Sequence, residues 1–139
     1  MNCPRILVAD DQNLVVERVV SLLGKTFEVI GTVNNGKDLV AEAQRLQPDV
    51  IILDITMPML TGIEAAQELR QIGSTSKLVF LTVHQEAVVV RACFAEGGLG
   101  YVTKSSLGTD LIPAVREALA GNRYISPSLQ RVLPGQSHP

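Results

Sequence analysis

The sequence is poor in cysteine, in aromatic residues and in surplus charge of one sign. Of its 139 residues two are cysteine, none is tryptophan and 4% are aromatic. Cys3 and Cys93 are too few and too isolated for a disulfide framework or a zinc site with paired ligands. The 12 basic residues do not outnumber the 14 acidic ones, which disfavours nucleic-acid binding by this segment alone. We therefore expect a reduced, cytoplasmic protein.

Long apolar runs and a signal peptide are not apparent either. The apolar stretches are only a few residues long, and the N-terminus has no basic segment followed by a long apolar one, so no membrane span or secretory leader is predicted. The chain is nevertheless 46% hydrophobic, and its length is typical of one domain with one core. The last stretch, 126–139, is rich in Pro, Ser and Gly and is predicted to be a tail or linker.

Two hydrophobic periodicities alternate along the chain. Short apolar runs, typical of strands buried on both faces, lie at 6–9, 29–33, 50–53, 78–81 and 101–102. Segments with helical spacing follow them, at 14–23, 37–46, 62–72, 86–95 and 110–120. Five strand–helix units in strict alternation predict an α/β fold, with one parallel five-stranded sheet and five helices covering both faces.

Glycine and proline mark the helix ends. Four predicted helices are followed by glycines that we expect in the left-handed conformation, namely Gly24, Gly73, Gly97 and Gly121. Pro113 falls inside the fifth helical segment. If Thr109 is the N-cap, Pro113 sits at the edge of the first turn, where a missing N–H costs at most one backbone hydrogen bond.

Polar residues follow four of the predicted strands. They are the pair Asp10 and Asp11, then Asp54, Thr82 and Lys104. The carboxyl ends of parallel strands meet at one edge of the sheet, so these side chains should converge. Three carboxylates in one place repel each other unless a cation is bound. Oxygen ligands without His or Cys indicate Mg²⁺, which favours phosphate oxygens as further ligands. Thr82 and Lys104 are suitable donors to those oxygens.

Asp54 is the best candidate for a nucleophile. It ends the most continuously apolar strand and is followed by a loop with Pro58 and Gly62, which holds the carboxylate well for in-line attack. An aspartate that attacks phosphorus forms an acyl phosphate, and a metal ion neutralises charge on the transferring group.

These motifs together resemble the receiver domain of bacterial two-component response regulators. The matching segments are 8–11, Leu53-Asp54 with Met57-Pro58 and Gly62, Leu81-Thr82, and 100–104. The resemblance covers about residues 4–125, with 126–139 as a tail or the start of a linker. It implies a flavodoxin-like doubly wound sheet of strand order 2-1-3-4-5.

The resemblance also implies a role for each site residue. A histidine kinase would phosphorylate Asp54. Mg²⁺ would be held by Asp10, Asp11, Asp54 and the backbone carbonyl of Thr56. Lys104 would contact the phosphoryl group, the Thr82 hydroxyl would move toward it, and the ring of Tyr101 would turn inward as the switch. The domain would not be an enzyme, except that it would catalyse its own phosphotransfer and dephosphorylation.

Residues 118–127 resemble the end of the receiver in the LuxR/NarL-type subfamily, where a helix-turn-helix effector domain follows. We therefore expect a receiver excised from a longer transcription regulator rather than a stand-alone one. DNA would be bound only through that absent domain, and no membrane partner is expected. Dimerisation on phosphorylation is common in the family. One departure from the family pattern is Val83, where a smaller residue is usual; its side chain could narrow access to Asp54.

Three other functions compete with this one. An aspartate-nucleophile phosphatase would use similar residues, but the sequence has no second acid two positions beyond a first-strand nucleophile and no cap insertion. A phosphorylation-independent interaction module is disfavoured because every expected reactive residue is present. A flavodoxin needs a Ser/Thr/Gly-rich phosphate loop after the first strand, where this chain has Asp10 and Asp11.

Overall fold

The computed structural model describes residues 3–83 and 86–130. Its centre is a parallel sheet of six strands in the order β2-β1-β3-β4-β5-β6. The strands are β1 (Arg5–Ala9), β2 (Glu28–Val33), β3 (Val50–Asp54), β4 (Lys77–Thr82), β5 (Gly98–Thr103) and β6 (Tyr124–Ile125). The helices are α1 (Asn13–Leu23), α2 (Gly36–Leu46), α3 (Gly62–Gln71), α4 (Ala87–Ala95), α5 (Leu107–Leu119) and α6 (Pro127–Gln130), with a 3₁₀ turn at Lys104–Ser106. None of the described helices is long and apolar enough to cross a bilayer.

The flavodoxin-like α/β architecture is confirmed, but the predicted count of five strands and five helices is wrong. The structure adds β6 and α6 to the predicted elements. A strand of two residues and a helix of four carry no detectable period, and the Pro and Ser content of this stretch is typical of a linker. The part of the predicted tail at 131–139 lies outside the described residues.

The core forms two layers, one on each face of the sheet. Strand β1 shows why, because its alternate residues Ile6 and Val8 pack on one face while Leu7 and Ala9 pack on the other. Helices α1 and α5 cover the first face, and α2, α3 and α4 cover the second. All five residues of β3 are buried. Burial of both faces accounts for the continuous apolar runs in the sequence.

Helix α5 begins earlier than predicted. It starts at Leu107 with Ser106 in the N-cap position, so Thr109 is not the N-cap and Pro113 lies well inside the helix. The 3₁₀ turn leads directly into α5, and the first helical residues, 107–109, were not revealed by sequence periodicity. In a helix interior a proline removes one backbone hydrogen bond and its ring crowds the carbonyl four residues earlier. The helix continues past Pro113 because Leu111, Ala114 and Val115 are buried in the core, and their packing offsets this cost.

The predicted left-handed glycines are confirmed at three of four helix ends. Gly73, Gly97 and Gly121 have φ of 79°, 90° and 83°. Gly24 is instead right-handed, with φ of −60°, and its N–H continues the helical bonding to the carbonyl of Val20. The left-handed residue that ends α2 is Gln47, with φ of 49°.

Strand β5 is longer than the two residues predicted for it. Its N-terminal half contains glycines that interrupt the apolar pattern in the sequence. A Cβ added at Gly98 would lie 2.6 Å from the ring of Phe80 on the neighbouring strand. The small residue is therefore required for β4 and β5 to pack, and it conceals the strand from a hydrophobic pattern.

Candidate functional site

The three aspartates predicted to converge do so at the carboxyl edge of the sheet. Asp10 and Asp11 follow β1, and Asp54 ends the adjacent strand β3. Each offers a carboxylate oxygen, and these atoms lie within 4.8 Å of one another. Asp10 and Asp54 are 1% and 5% exposed, whereas Asp11 is exposed. Two buried carboxylates next to a third make a strongly negative site.

Lys104 supplies positive charge to this site from the start of the 3₁₀ turn after β5. Its Nζ lies 2.9 Å from Oδ2 of Asp10 and 3.3 Å from Oδ2 of Asp54. The same ammonium group donates a hydrogen bond of 2.9 Å to Oε1 of Gln12. One lysine therefore bridges both buried carboxylates, from the end of a strand that is separated from β3 by β4.

The pKa of Asp54 reflects this crowding. Burial and, to a smaller extent, the charge of Asp10 raise the pKa from 3.8 to about 6, while Lys104 and the backbone N–H of Thr56 act in the opposite direction. Removing water disfavours the charged form more than one shared lysine favours it. The negative charge of the site is therefore only partly neutralised by Lys104.

The donor set fits a hard divalent cation. Oδ2 of Asp10 is buried and is paired with Lys104 Nζ at 2.9 Å, an ammonium group that it shares with Asp54. All three grouped ligand atoms are carboxylate oxygens, the kind that Mg²⁺ prefers. A cation there would partner the Asp10 oxygen and relieve the repulsion between the carboxylates.

Beside the aspartates is an open cavity of about 310 Å³. It is lined by Asp11, Gln12, Asp54, Thr56, Val83 and Lys104. Val83 is 73% exposed and forms part of the rim. The expectation that its branched side chain narrows access to Asp54 is compatible with this position and stays a prediction.

The loop after β3 is folded back against Asp54. The N–H of Thr56 donates to Oδ1 of Asp54 over 3.3 Å, and the N–H of Gly62 donates to the carbonyl of Ile55 over 2.8 Å. A Cβ at Gly62 would lie 2.2 Å from the carbonyl oxygen of Asp54. Close approach of two backbones therefore requires glycine here. Thr61 and Glu64 then form a capping box that starts α3.

The two residues predicted to form the switch are neighbours. Thr82 ends β4 and Tyr101 lies within β5, and both are 0% exposed. Burial raises the pKa of Tyr101 above its ordinary value, and a hydrogen bond with Thr82 acts against that increase. The Tyr101 ring centroid is 6.4 Å from that of Phe94 on α4. In this structure the Tyr101 ring is turned inward.

Two residues of the site region were not identified from the sequence. Gln12 binds Lys104 across a separation of 92 positions, and its position directly after the acidic pair was the available signal. Asp110 is 4% exposed and accepts hydrogen bonds beside the Lys104 turn. It resembles an ordinary helix-start residue in the sequence, which hides its role.

Comparison with known proteins gives the same family throughout. The model of the response regulator receiver domain matches residues 6–116. The response regulator GacA of Pseudomonas aeruginosa is 33% identical over 131 residues, which are 93% of this chain and 61% of GacA. The transcriptional regulatory protein DesR of Bacillus subtilis is 35% identical over 136 residues, which are 96% of this chain and 67% of DesR.

A solved structure agrees in fold. A two-component response regulator of the LuxR family from Aurantimonas sp. SI85-9A1 superposes with a TM-score of 0.89 at 29% identity, covering 95% of this chain and 96% of that one. The chain spans about three fifths of the length of relatives such as GacA, at 61%. The acidic cluster, the bridging lysine and the sheet order agree with these comparisons. The chain belongs to the response regulator receiver domain family, among the LuxR/NarL-type regulators.

Proposed function

We propose that this receiver accepts a phosphoryl group on Asp54 from a histidine kinase and so switches its contacts with partners. The observation that carries the proposal is the Asp54 carboxylate, which is buried, lies at the edge of an open cavity, and is 3.3 Å from the Lys104 ammonium group. A nucleophile fixed at the end of a rigid strand, with a donor for phosphate oxygens beside it, is arranged for phosphoryl transfer.

The transfer replaces one bond to phosphorus with another. A carboxylate oxygen of Asp54 attacks phosphorus and forms a P–O bond, while the P–N bond of a phosphohistidine breaks. The electron pair leaves on the imidazole nitrogen, which takes up a proton. With acetyl phosphate, a P–O bond breaks instead and acetate leaves. Lys104 contacts the phosphoryl oxygens and stabilises their negative charge.

Asp10, Asp11, Asp54 and the Thr56 carbonyl would hold a Mg²⁺ ion in this proposal. When bound, the ion neutralises negative charge on the transferring group. The support is the proximity of the three carboxylates, two of which are buried. Thr56 lines the same cavity.

The Thr82 hydroxyl and the Tyr101 ring would report the state of Asp54. Their side chains already share a hydrogen bond, so a displacement of Thr82 toward a phosphoryl group alters the surroundings of Tyr101. A buried aromatic ring with a few polar contacts can occupy two orientations that a new charge biases. This supports the predicted switch between the catalytic edge and the α4–β5 surface.

Transcription control, DNA binding through a following domain and pairing of two receivers are proposals for the whole regulator, acting in the cytoplasm. They are supported by DesR, whose name describes a transcriptional regulatory protein, and by a LuxR-family structural neighbour. In this proposal the receiver supplies the phosphorylation site and the switch, and the following domain would convert the switch into promoter occupancy.

Intact mass after incubation with acetyl phosphate and Mg²⁺ tests the central step. We expect one phosphoryl adduct on the wild-type chain, none on Asp54→Asn and none when Mg²⁺ is chelated. Asp38→Asn, which changes an aspartate on α2 away from the cavity, is the matched control and should still be modified. An adduct of equal amount on Asp54→Asn would overturn the assignment of Asp54.

The aspartate-nucleophile phosphatase is the competing function. Membership of the receiver family favours signalling over turnover of small esters. A continuous release of phosphate from p-nitrophenyl phosphate, with many turnovers per chain and loss in Asp54→Asn, would favour the phosphatase instead.

A further inference from the structure

Residues 124–130, here called the edge strap, cross the edge of the sheet next to Tyr101. Strand β6 pairs in parallel with β5, with Ile125 opposite Tyr101. The N–H of Ser126 donates to the Tyr101 carbonyl over 2.9 Å. Leu129 is 0% exposed and belongs to the same core cluster as Tyr101. The edge strap is therefore bonded to and packed against the predicted switch residue.

A buried carboxylate fastens the edge strap from the other side. Asp110 of α5 is 4% exposed, and its Oδ1 accepts a hydrogen bond of 2.8 Å from the Tyr124 hydroxyl. Burial alone raises the pKa of Asp110, but hydrogen bonds from Ser126, Ser106, Tyr124 and Thr109 more than offset this and hold it below its ordinary value. Hydrogen bonds to a buried charge are stronger than those between neutral groups.

The same carboxylate holds the turn that carries Lys104. Ser106 ends this 3₁₀ turn, and its hydroxyl donates to Oδ2 of Asp110 over 2.8 Å. The Ser106 hydroxyl also contacts that of Thr103 and lies 3.5 Å from that of Ser126. The N–H of Thr103 donates to the Ser126 hydroxyl over 3.2 Å. One connected network therefore joins the Lys104 turn to the edge strap.

We propose that Asp110 is a positioning residue that couples occupancy of the Asp54 site to docking of the edge strap, so that a phosphoryl group at Asp54 tightens the strap on the receiver. This inference rests on the proposed function, because it takes Asp54 as the site that is loaded.

The direction follows from the partners of Lys104. In this structure its ammonium group is shared among Asp10, Asp54 and Gln12. A phosphoryl group at Asp54 gives Lys104 a more highly charged partner and restrains the turn that it begins. A turn already held in place loses less freedom when Ser106 also binds Asp110 and Ser126. Docking and loading then favour each other, and the coupling is reciprocal.

Hydrogen exchange of the edge strap tests the first half of the coupling. The whole chain is measured alone and with Mg²⁺ plus beryllofluoride, a phosphoryl mimic. We expect the backbone amides of residues 125, 126 and 128–130 to exchange at least about fivefold more slowly when the site is loaded. Exchange that is unchanged or faster on loading would overturn the proposal.

Tyr124→Phe tests the second half, because it removes one hydroxyl and keeps the ring. We expect about tenfold faster exchange of the edge strap, as loss of a hydrogen bond to a charged group predicts. We also expect weaker beryllofluoride binding by calorimetry. Asn122→Ala, which loses a contact with Glu117 outside the network, should change neither value. Faster exchange by equal factors in both states, with unchanged beryllofluoride affinity, would show a structural role alone and overturn the coupling.

Ser126→Ala provides a second variant if Tyr124→Phe does not fold, and the same two results are expected. The acetyl phosphate mass assay is run on the same preparations. No adduct on the wild-type chain would overturn the proposed function. An adduct together with unchanged edge-strap exchange would overturn only the coupling.

Discussion

At the scale of single residues, the ionised carboxylate of Asp54 is the proposed nucleophile but lowers the stability of the fold. Its folded pKa is about 6, above the ordinary value of 3.8, so the folded state binds the proton more tightly than the unfolded state does. The stabilisation that comes from binding this proton is fully present below about pH 4 and is lost as the pH rises through 6. At neutral pH the ionised carboxylate therefore destabilises the metal-free fold by ~3 kcal/mol.

Asp54→Asn should consequently stabilise the metal-free protein in a pH-dependent way. We expect its free energy of unfolding in urea with EDTA to equal that of the wild type near pH 4 and to exceed it by ~2–3 kcal/mol at pH 7. Glu42→Gln is a control of opposite sign, because the hydrogen bond from Arg45 lowers the pKa of Glu42. A constant difference from pH 4 to 7 would contradict the raised pKa.

Gly62 is the residue that allows the loop to close on Asp54. Its missing Cβ would lie 2.2 Å from a backbone oxygen, which cannot move as a side-chain tip can. Gly62→Ala should therefore lower the free energy of unfolding by at least about 2 kcal/mol and slow modification of Asp54 by acetyl phosphate.

Gly108→Ala is the matched control for Gly62→Ala. Its Cβ would meet only the end of the flexible Arg18 side chain, at 3.0 Å, and alanine favours a helix such as α5 by about 1 kcal/mol over glycine. A neutral or stabilising result is expected from urea unfolding. Equal losses in both variants would show that any added methyl group is harmful.

At the scale of elements, the short pieces escaped prediction. Strand β6 and helix α6 gain their structure from contacts with β5 and from the buried Leu129, and such tertiary contacts leave little trace in local sequence. The start of α5 was also missed, because residues 107–109 directly follow the 3₁₀ turn at Lys104–Ser106 and include Gly108, which has a low helix propensity. The long, strongly periodic elements were predicted to within a few residues.

The end of helix α2 offers a simple stability test. Gln47 has φ of 49°, where a side chain costs about 1–2 kcal/mol that glycine does not incur. Part of this is cancelled by the greater freedom of glycine in the unfolded chain. Gln47→Gly should therefore raise the free energy of unfolding by about 0.5–1 kcal/mol.

Gln44→Gly is the matched control and should lower the free energy of unfolding. Gln44 lies on the exposed side of α2 with helical neighbours, and glycine there should destabilise by about 1 kcal/mol. Both are measured by urea unfolding. Destabilisation by Gln47→Gly of the same size would show that the left-handed conformation carries no strain.

At the scale of the whole molecule, the sequence predicted which residues meet at the carboxyl edge of the sheet better than it predicted the hydrogen-bond network around them. Asp10, Asp54 and Lys104 each follow an apolar strand, and sheet topology brings such positions together. The contact between Gln12 and Lys104 spans 92 positions, and that between Tyr124 and Asp110 joins α5 to β6. These contacts depend on side-chain placement in the folded molecule, which no period or motif specifies.

Carboxylate repulsion and Mg²⁺ binding have opposite effects on stability. Adding Mg²⁺ should therefore reverse the order of stability of the wild type and Asp54→Asn. Without Mg²⁺, Asp54→Asn is expected to be the more stable protein at pH 7. A ligand that binds only the folded state adds about 2.7 kcal/mol at a concentration of 100 times its Kd, and the wild type has the complete three-carboxylate group. With saturating Mg²⁺ the wild type should therefore gain more stability than Asp54→Asn and reach or exceed it.

Thermal unfolding over a Mg²⁺ titration measures this crossing. Asp11→Asn is the informative third protein, because Asp11 is exposed and its loss should not relieve a desolvation penalty. It should start near the wild-type Tm in EDTA and gain less from Mg²⁺. Equal Mg²⁺ gains in all three proteins would mean that the ion binds elsewhere and would contradict the predicted magnesium site.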